Sequence, residues 1–370
     1  MIQEYFETIT DKRQEWKTKH NLLEIIIMTL CAVVAECEAW YQVEEYCEEK
    51  EEWFKEKLKL KLEHGIPSHD TFERVFAMID PKELESSFAL WTKAVHRKTK
   101  GEIVSIDGKT ICASRSEDQK AIHMVSAWAN KNKLVLGQVK TDEKSNEITA
   151  IPQLLEILEI SGCIITIDAM GCQKDISKKI VEKGADYVFS LKGNQTSLND
   201  DVIRYFEDAL KSRKFYEPIG EKATIDNGHG RIEKRKYFLT TDVEWLAQRP
   251  EWQELNGIGM VQSNVEEKGV VREETRYFIT SLTDVKTFAK AVRAHWGIEN
   301  SLHWVLDVAF REDNCRMRKD NSGENFAVIR HIAVNLLKQD KSKLSMKAKR
   351  HKCAYSDSFL YKILFESALY

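Results

Sequence analysis

Hydrophobic and polar positions change their period near residue 100. Before it, the spacing is helical. Leu22 to Ala35 is an apolar run interrupted by Glu24, which predicts a buried helix. Trp40 to Leu62 keeps helical spacing with many charges. Gly65 and Pro67 then break the pattern, and Asp70 with Glu73 predicts a capping box that starts a helix running through Phe76. Asp80-Pro81 starts another, carrying Leu84, Phe88 and Trp91. The first 98 residues therefore read as all-helical.

After it, short apolar runs alternate with helical stretches. Ile103 to Asp107, Ile122 to Trp128 and Leu134 to Val139 predict three strands, with a turn at Asn130 to Lys133. Ile148 to Ile160 is helical, Cys163 to Asp168 a strand, Gln173 to Lys183 helical, and Asp186 to Leu191 a strand. That order describes an α/β fold: a mixed sheet with helices on its faces. Further on come a helix near Ser197–Leu210 and strands near Arg231–Leu239, Gly257–Gln262 and Val271–Ile279. A helical segment covers Arg293 to Asp307.

The acids fall at informative places. Asp107 closes the first strand and Asp168 the fourth. If those strands are neighbours, both carboxylates emerge at one sheet edge, where open α/β folds place their sites. Two such carboxylates repel unless a divalent cation sits between them. Taken singly, Asp107-Gly108 reads as a turn and Asp168 as a helix cap. The later segment carries His295, Glu299 and His303 four residues apart, hence on one helical face, with Trp296, Asn300 and Trp304 beside them. Glu299 is the candidate third acid, and Asp307, Glu312 and Asp313 are its substitutes. The same face also permits a zinc-hydrolase site on His295, Glu299 and His303, although its order differs from His-Glu-x-x-His.

Composition narrows the class. A chain of 370 residues holds two or three domains, and 42% hydrophobic with 31% charged residues is ordinary for a soluble protein. The longest apolar run is shorter than the roughly 20 residues a bilayer requires. The first residues lack a signal peptide's charged start and apolar core, so a cytoplasmic location and no membrane contact are expected. The cysteines are scattered without a Cys-x-x-Cys pair, which excludes a zinc ribbon or a disulfide framework. The net charge of −3 conceals segregation. Residues 44–56 are strongly acidic, while Lys93, Arg97, Lys98, Lys100 and the stretch from Lys338 to Lys352 are basic. The latter permits a phosphate-contacting arm.

These residues carry a resemblance. His64-Gly-Ile-Pro-Ser-His-Asp-Thr-Phe72, Ile106-Asp-Gly-Lys109, Thr166-Ile-Asp-Ala-Met-Gly-Cys-Gln173 and Leu191-Lys-Gly-Asn-Gln195 form part of the pattern. It continues with His229-Gly-Arg-Ile-Glu-Lys-Arg235 and His295-Trp-Gly-Ile-Glu-Asn-Ser-Leu-His-Trp304. The chain resembles, over nearly its whole length, the H-repeat-associated family of bacterial insertion-sequence transposases. The resemblance implies an RNase H-like core with an Asp-Asp-Glu triad on Asp107, Asp168 and Glu299. It also implies metal-dependent 3′-end cleavage and strand transfer with two Mg²⁺ ions, or Mn²⁺ in their place. The implied partners are double-stranded DNA, at element ends and target, and a second copy of the chain. A transposase-derived DNA-binding protein without catalysis is the alternative.

The implied layout is a helical N-terminal domain over 1–98, core segments over 99–192 and 276–340, a β-rich insertion over 193–275 and a basic tail over 341–370. Expected DNA contacts are Lys109, Lys192, Asn194, Gln195, Arg231, Arg235, Arg293, His295 and His303. Period-2 alternation places Arg231, Glu233 and Arg235 on one strand face, an ion-pair ladder or a DNA-facing row. Related transposases carry Tyr-x2-Arg-x3-Glu-x6-Lys around the glutamate; Val292, His295 and Leu306 stand at those positions here.

Overall fold

The computed structural model describes residues 2–96, 101–115, 120–141, 147–212, 219–228 and 231–366. Arg97, Lys98, Lys100, His229 and Gly230 lie outside them, as does the expected boundary at residue 98.

The N-terminal helices are α1 (Ile2–Phe6), α2 (Leu22–Val34), α3 (Trp40–Glu49), α4 (Glu51–Lys57), α5 (His69–Met78) and α6 (Pro81–Val95). Asn21 caps α2 by accepting from the Glu24 amide, and Asp80 caps α6 with Pro81 in its first turn. Asp70 does not start α5. The N-cap is Ser68, whose own backbone is extended, and Asp70 sits within the first turn.

The strands and helices that follow are β1 (Ile103–Ile111), β2 (Ile122–Ala129), β3 (Leu134–Lys140), α7 (Glu147–Ile157), β4 (Ile164–Ile167), α8 (Lys174–Glu182), β5 (Asp186–Leu191) and α9 (Thr196–Lys211). Then come β6 (Gly220–Gly228), β7 (Arg231–Thr240), β8 (Gly257–Glu267), β9 (Val270–Thr280), α10 (Val285–Ile298), α11 (Trp304–Phe310), α12 (Ser322–Gln339), α13 (Met346–Tyr355) and α14 (Asp357–Tyr361). Among the described residues the strands form one sheet, ordered β3-β2-β1-β4-β5-β9-β8-β7-β6. β1 pairs parallel with β4, and β4 parallel with β5, while β2 and β3 run antiparallel on the other side.

The strands of the expected insertion do not form a sheet of their own. β9 hydrogen-bonds antiparallel to β5, with Val188 opposite Thr280 and Leu191 opposite Tyr277, so β6–β9 extend the core sheet. β6 was not anticipated: Gly220 to Gly228 has Ala223 and Ile225 as its apolar side chains, both exposed, and pairs along its whole length with β7.

One apolar core lies between the N-terminal helices and the C-terminal half. α12, buried along nearly all its length, packs on α2, α5, α6 and β3. The basic stretch after it is not a free arm. Lys349 is buried and donates to the carbonyls of Leu337 (2.9 Å) and Asp340 (2.6 Å). Arg350, also buried, donates to Val33 O at 2.6 Å and to Glu38 at 2.6 Å, fastening α13 to the N-terminal helices. Such a guanidinium, removed from water, is tolerable only with these acceptors in place. No helix among the described residues is long and apolar enough to cross a membrane.

Candidate active site

The parallel register sets the first two acids side by side. Ile103 to Ile106 pair with Ile164 to Ile167 in order, so Asp107 and Asp168 are the next residues on adjacent strands at the same sheet edge. β1 does not end at Asp107; it continues to Ile111 against β2, but β4 stops. The Asp107 carboxylate accepts from the Gly108 amide at 2.9 Å. Asp168 accepts from the amides of Met170 (3.0 Å) and Gly171 (3.3 Å), which closes the turn after β4. Asn194 and Gln195 reinforce that turn by donating to the carbonyls of Ala169 (2.6 Å) and Cys172 (3.0 Å). Both were expected on DNA; here their amides are committed to holding Asp168 in place.

The third acid arrives on α10, pinned across the sheet by a polar chain. Ser105 and Thr166 are register partners, and the Thr166 hydroxyl donates to Ser105 at 3.1 Å. That leaves the Thr166 oxygen to accept from His295 Nδ1 at 2.9 Å. Asn130 adds a donor to Ser105 at 2.8 Å. His295 is therefore a neutral strut, not a cation: burial pushes its pKa down to about 4. Gly297, two residues on, lets α10 lie against Asn130, whose side-chain oxygen a Cβ there would strike. Gly297→Ala is expected to tilt α10 and lower the rate of any reaction at Glu299 by at least about tenfold, with ligand affinity unchanged. A kinetic comparison at saturating substrate checks it.

At Glu299 the helix leaves its α period. Glu299 to His303 form a π-turn before α11, a feature that gathers at functional sites. The extra residue breaks the shared face expected for His295, Glu299 and His303. Glu299 is exposed, while His303 is buried with Nδ1 3.7 Å from Asp107 Oδ2. Burial pushes His303 down to about 4, so it too is neutral at pH 7.

Asp107, Asp168 and Glu299 line one cavity of about 360 Å³, together with Lys192, Thr166, Ser190, Glu274, Arg276, His295 and Trp296. Burial raises Asp107 to about 7, and Glu147, Asp168 and Glu299 add repulsion. Asp168 is raised by burial and by Glu147, with Lys192 opposing. Among the described residues, no three His, Cys, Asp or Glu side chains stand close enough to hold a metal ion, so the acids share a cavity without closing on a point.

Asp107 is favoured in its protonated form by the fold. That contribution is complete below its ordinary value of 3.8 and is lost as pH rises through about 7. At pH 8 the buried anion costs roughly 2 kcal/mol after screening. Asp107→Asn is expected to raise the melting temperature by a few degrees in metal-free buffer at pH 8. Thermal denaturation at pH 8 and pH 4 checks it, with the gain shrinking at the lower pH.

A residue the sequence did not reveal adds negative charge beside the two aspartates. Glu147 opens α7, bonds His123 Nε2 at 2.9 Å, and faces Gly108; a Cβ at 108 would collide with both side chains. The predicted helix began one residue later, and no spacing pattern links residues 123 and 147.

The remaining expected DNA contacts divide. Lys109 is enclosed by Asp307 (2.7 Å), Asp313 (2.8 Å) and Glu312 (3.5 Å), its side chain 10% exposed, and is no surface cation. Arg235 is buried against Glu233 and Asp226. Arg231, paired with Glu233 at 2.6 Å, and exposed Arg293, 3.4 Å from Asp226, line a second cavity. Lys192 lines the first.

An acid within β1, an acid just past the end of β4 and a helix acid, facing one cavity across a mixed sheet, define a mixed α/β protein with a carboxylate-walled site. Family comparison agrees with that architecture. Residues 98–336 match the transposase DDE domain, and residues 3–92 match the domain associated with it. The chain belongs to the DDE transposase family. It is 40% identical over 379 residues to the H repeat-associated protein YhhI of Escherichia coli (strain K12), covering 100% of this chain and 98% of that one. It is 42% identical over 370 residues to YncI of Escherichia coli O157:H7, covering 98% and 93%. A solved synaptic complex of piggyBac transposase with hairpin DNA aligns over 96% of this chain and 76% of that one, at TM-score 0.41 and 12% identity, too distant to inform the site.

Proposed function

We propose that this chain cleaves DNA at the ends of its own element and transfers the freed 3′ end to target DNA. Asp107, Asp168 and Glu299 are the catalytic carboxylates. The observation that carries the reading is the register of β1 on β4, which sets two carboxylates at one edge of a cavity that a third enters from α10.

The donor set suits a hard divalent cation. Its candidate ligands offer oxygen only, and Asp107 and Asp168, raised first by burial and then by neighbouring acids, gain from such a charge. Drawn together from their places around the cavity, Asp107, Asp168 and Glu299 would hold Mg²⁺, with Mn²⁺ as a substitute. When bound, the metal supplies Lewis-acid stabilisation of the phosphoryl oxygens and lowers the pKa of water. The protein's own groups do the rest. Lys192 offers a cation beside Asp168, fitted to draw a phosphate into the cavity. His295, neutral, fixes the pitch of α10 without competing for the phosphate. His303 and Glu147 border Asp107 and keep its carboxylate in a constrained, partly dry setting. Two copies of the chain would pair two element ends.

The test is Mg²⁺-dependent cleavage of a duplex carrying the DNA that flanks its gene, followed by joining to a second duplex. Cleavage equal in chelator and in Mg²⁺ would remove the metal from the reading. A folded protein that binds such duplexes without cutting them would leave the DNA-binding alternative.

A further inference from the structure

We propose that Arg276 is the phosphate clamp at the mouth of the catalytic cavity, and that Glu274 occupies its fork as a placeholder until duplex DNA displaces it. This rests on the DNA reading above.

The four strands β6–β9 present a polar face beside α10. On β9, Arg272, Glu274 and Arg276 alternate onto that face. The ladder sets Arg272 opposite Val265, Glu274 opposite Ser263 and Arg276 opposite Val261. A cavity of about 180 Å³ lies over them, lined also by Arg231, Arg235, Arg293 and Trp296. It shares Glu274, Arg276, Val292 and Trp296 with the catalytic cavity, so the two adjoin at these side chains.

Arg276 is held ready for a planar anion. Its guanidinium lies 5.0 Å from the Trp296 ring centroid, which orients the fork. Nε and Nη2 donate to the two Glu274 oxygens at 2.7 and 2.8 Å, a bidentate pairing. A phosphate offers the same pair of acceptors, and arginine takes either. The pair is partly exposed, 36% for the arginine and 54% for the glutamate, so in water the carboxylate is weakly held and readily exchanged.

The sequence leaves this task open. The cation that related chains carry four residues before the glutamate is His295 here, neutral and committed to Thr166. Arg276 brings a permanent charge to the same cavity from the neighbouring strand. Self-masking of this kind also explains how a chain of net charge −3 presents arginines to DNA. Glu233 pairs with Arg231 and Arg235, and Glu274 with Arg276, in the free protein.

The experiment measures equilibrium binding of a labelled duplex taken from the DNA flanking its gene, over a range of salt. Arg276→Ala is expected to weaken binding roughly tenfold and to reduce the salt slope by about 1. Glu274→Gln is expected to tighten binding about threefold. In the double variant the gain from Glu274→Gln vanishes, because no fork remains to unmask. Glu273→Gln, the same charge change on the opposite strand face, leaves affinity as it was. Arg276→Lys replaces the alanine variant if that one does not fold; it also weakens binding, since an ammonium lacks the paired donors. Unchanged affinity in Glu274→Gln would overturn the placeholder, as would a gain that survives without Arg276 or is matched by Glu273→Gln. Wild-type protein that is folded yet binds no duplex would overturn the DNA reading itself, and this inference with it.

Discussion

Glu299→Gln is expected to lower strand cleavage by at least about 10³-fold while leaving duplex affinity within about twofold. The substitution keeps volume and hydrogen-bonding capacity and removes one negative charge. Glu299 is exposed at the start of the π-turn, so the fold loses little. The proposed triad loses one of its three carboxylates. A metal reaction depends on that charge; a binding function does not. Asp107→Asn and Asp168→Asn are expected to behave alike, and no pair of these losses should multiply, because a site that needs all three is already disabled by one. Glu147→Gln is the informative contrast. Glu147 bonds His123 and acts on Asp107 through charge, so its loss should reduce the rate by only about tenfold. Cleavage by Glu299→Gln at the wild-type rate, in protein shown to be folded, would pass the third-acid role to another carboxylate, with Glu147 first in line.

Much of the core was legible because its signals are local. The runs Ile103–Asp107 and Cys163–Asp168 are apolar, short and end on acids, and the sheet pairs them in parallel. The helix at Leu22 and the cap at Asp80 follow from patterning and one side chain each. What escaped depended on distant partners. The pairing of β9 with β5, which fuses the expected insertion to the core sheet, is a register between residues about ninety apart in sequence. β6 has no apolar face to announce it, because its partner β7 supplies the burial. The π-turn is a single extra residue that rotates everything after Glu299, so a regular helix drawn through His295, Glu299 and His303 puts His303 on the wrong face. Charge was the least legible. Lysine and arginine in a sequence read as surface, yet Lys109, Arg235, Lys349 and Arg350 are all enclosed by acids or carbonyls.

Lys109 carries the largest expected effect on stability. Its ammonium lies among Asp307, Glu312 and Asp313, and joins β1, two residues past Asp107, to α11 and the turn after it. Burial would lower its pKa, but the surrounding carboxylates outweigh that and raise it. Glu312 is almost fully buried and is itself raised, by burial foremost. Lys109→Met removes the cation and strands these carboxylates. Breaking such a pair from one side costs about 3–5 kcal/mol. The variant is expected to melt at least about 5 °C lower, and to recover part of that loss below pH 5, where the stranded acids take up protons. Lys109→Met/Glu312→Gln is expected to be more stable than the single variant, since it removes a buried anion along with its partner. If Lys109 instead contacted DNA, its loss would leave the melting temperature unchanged and reduce the salt dependence of binding by about one ion. Denaturation curves at two pH values therefore decide between a buried clamp beside the active site and a surface cation.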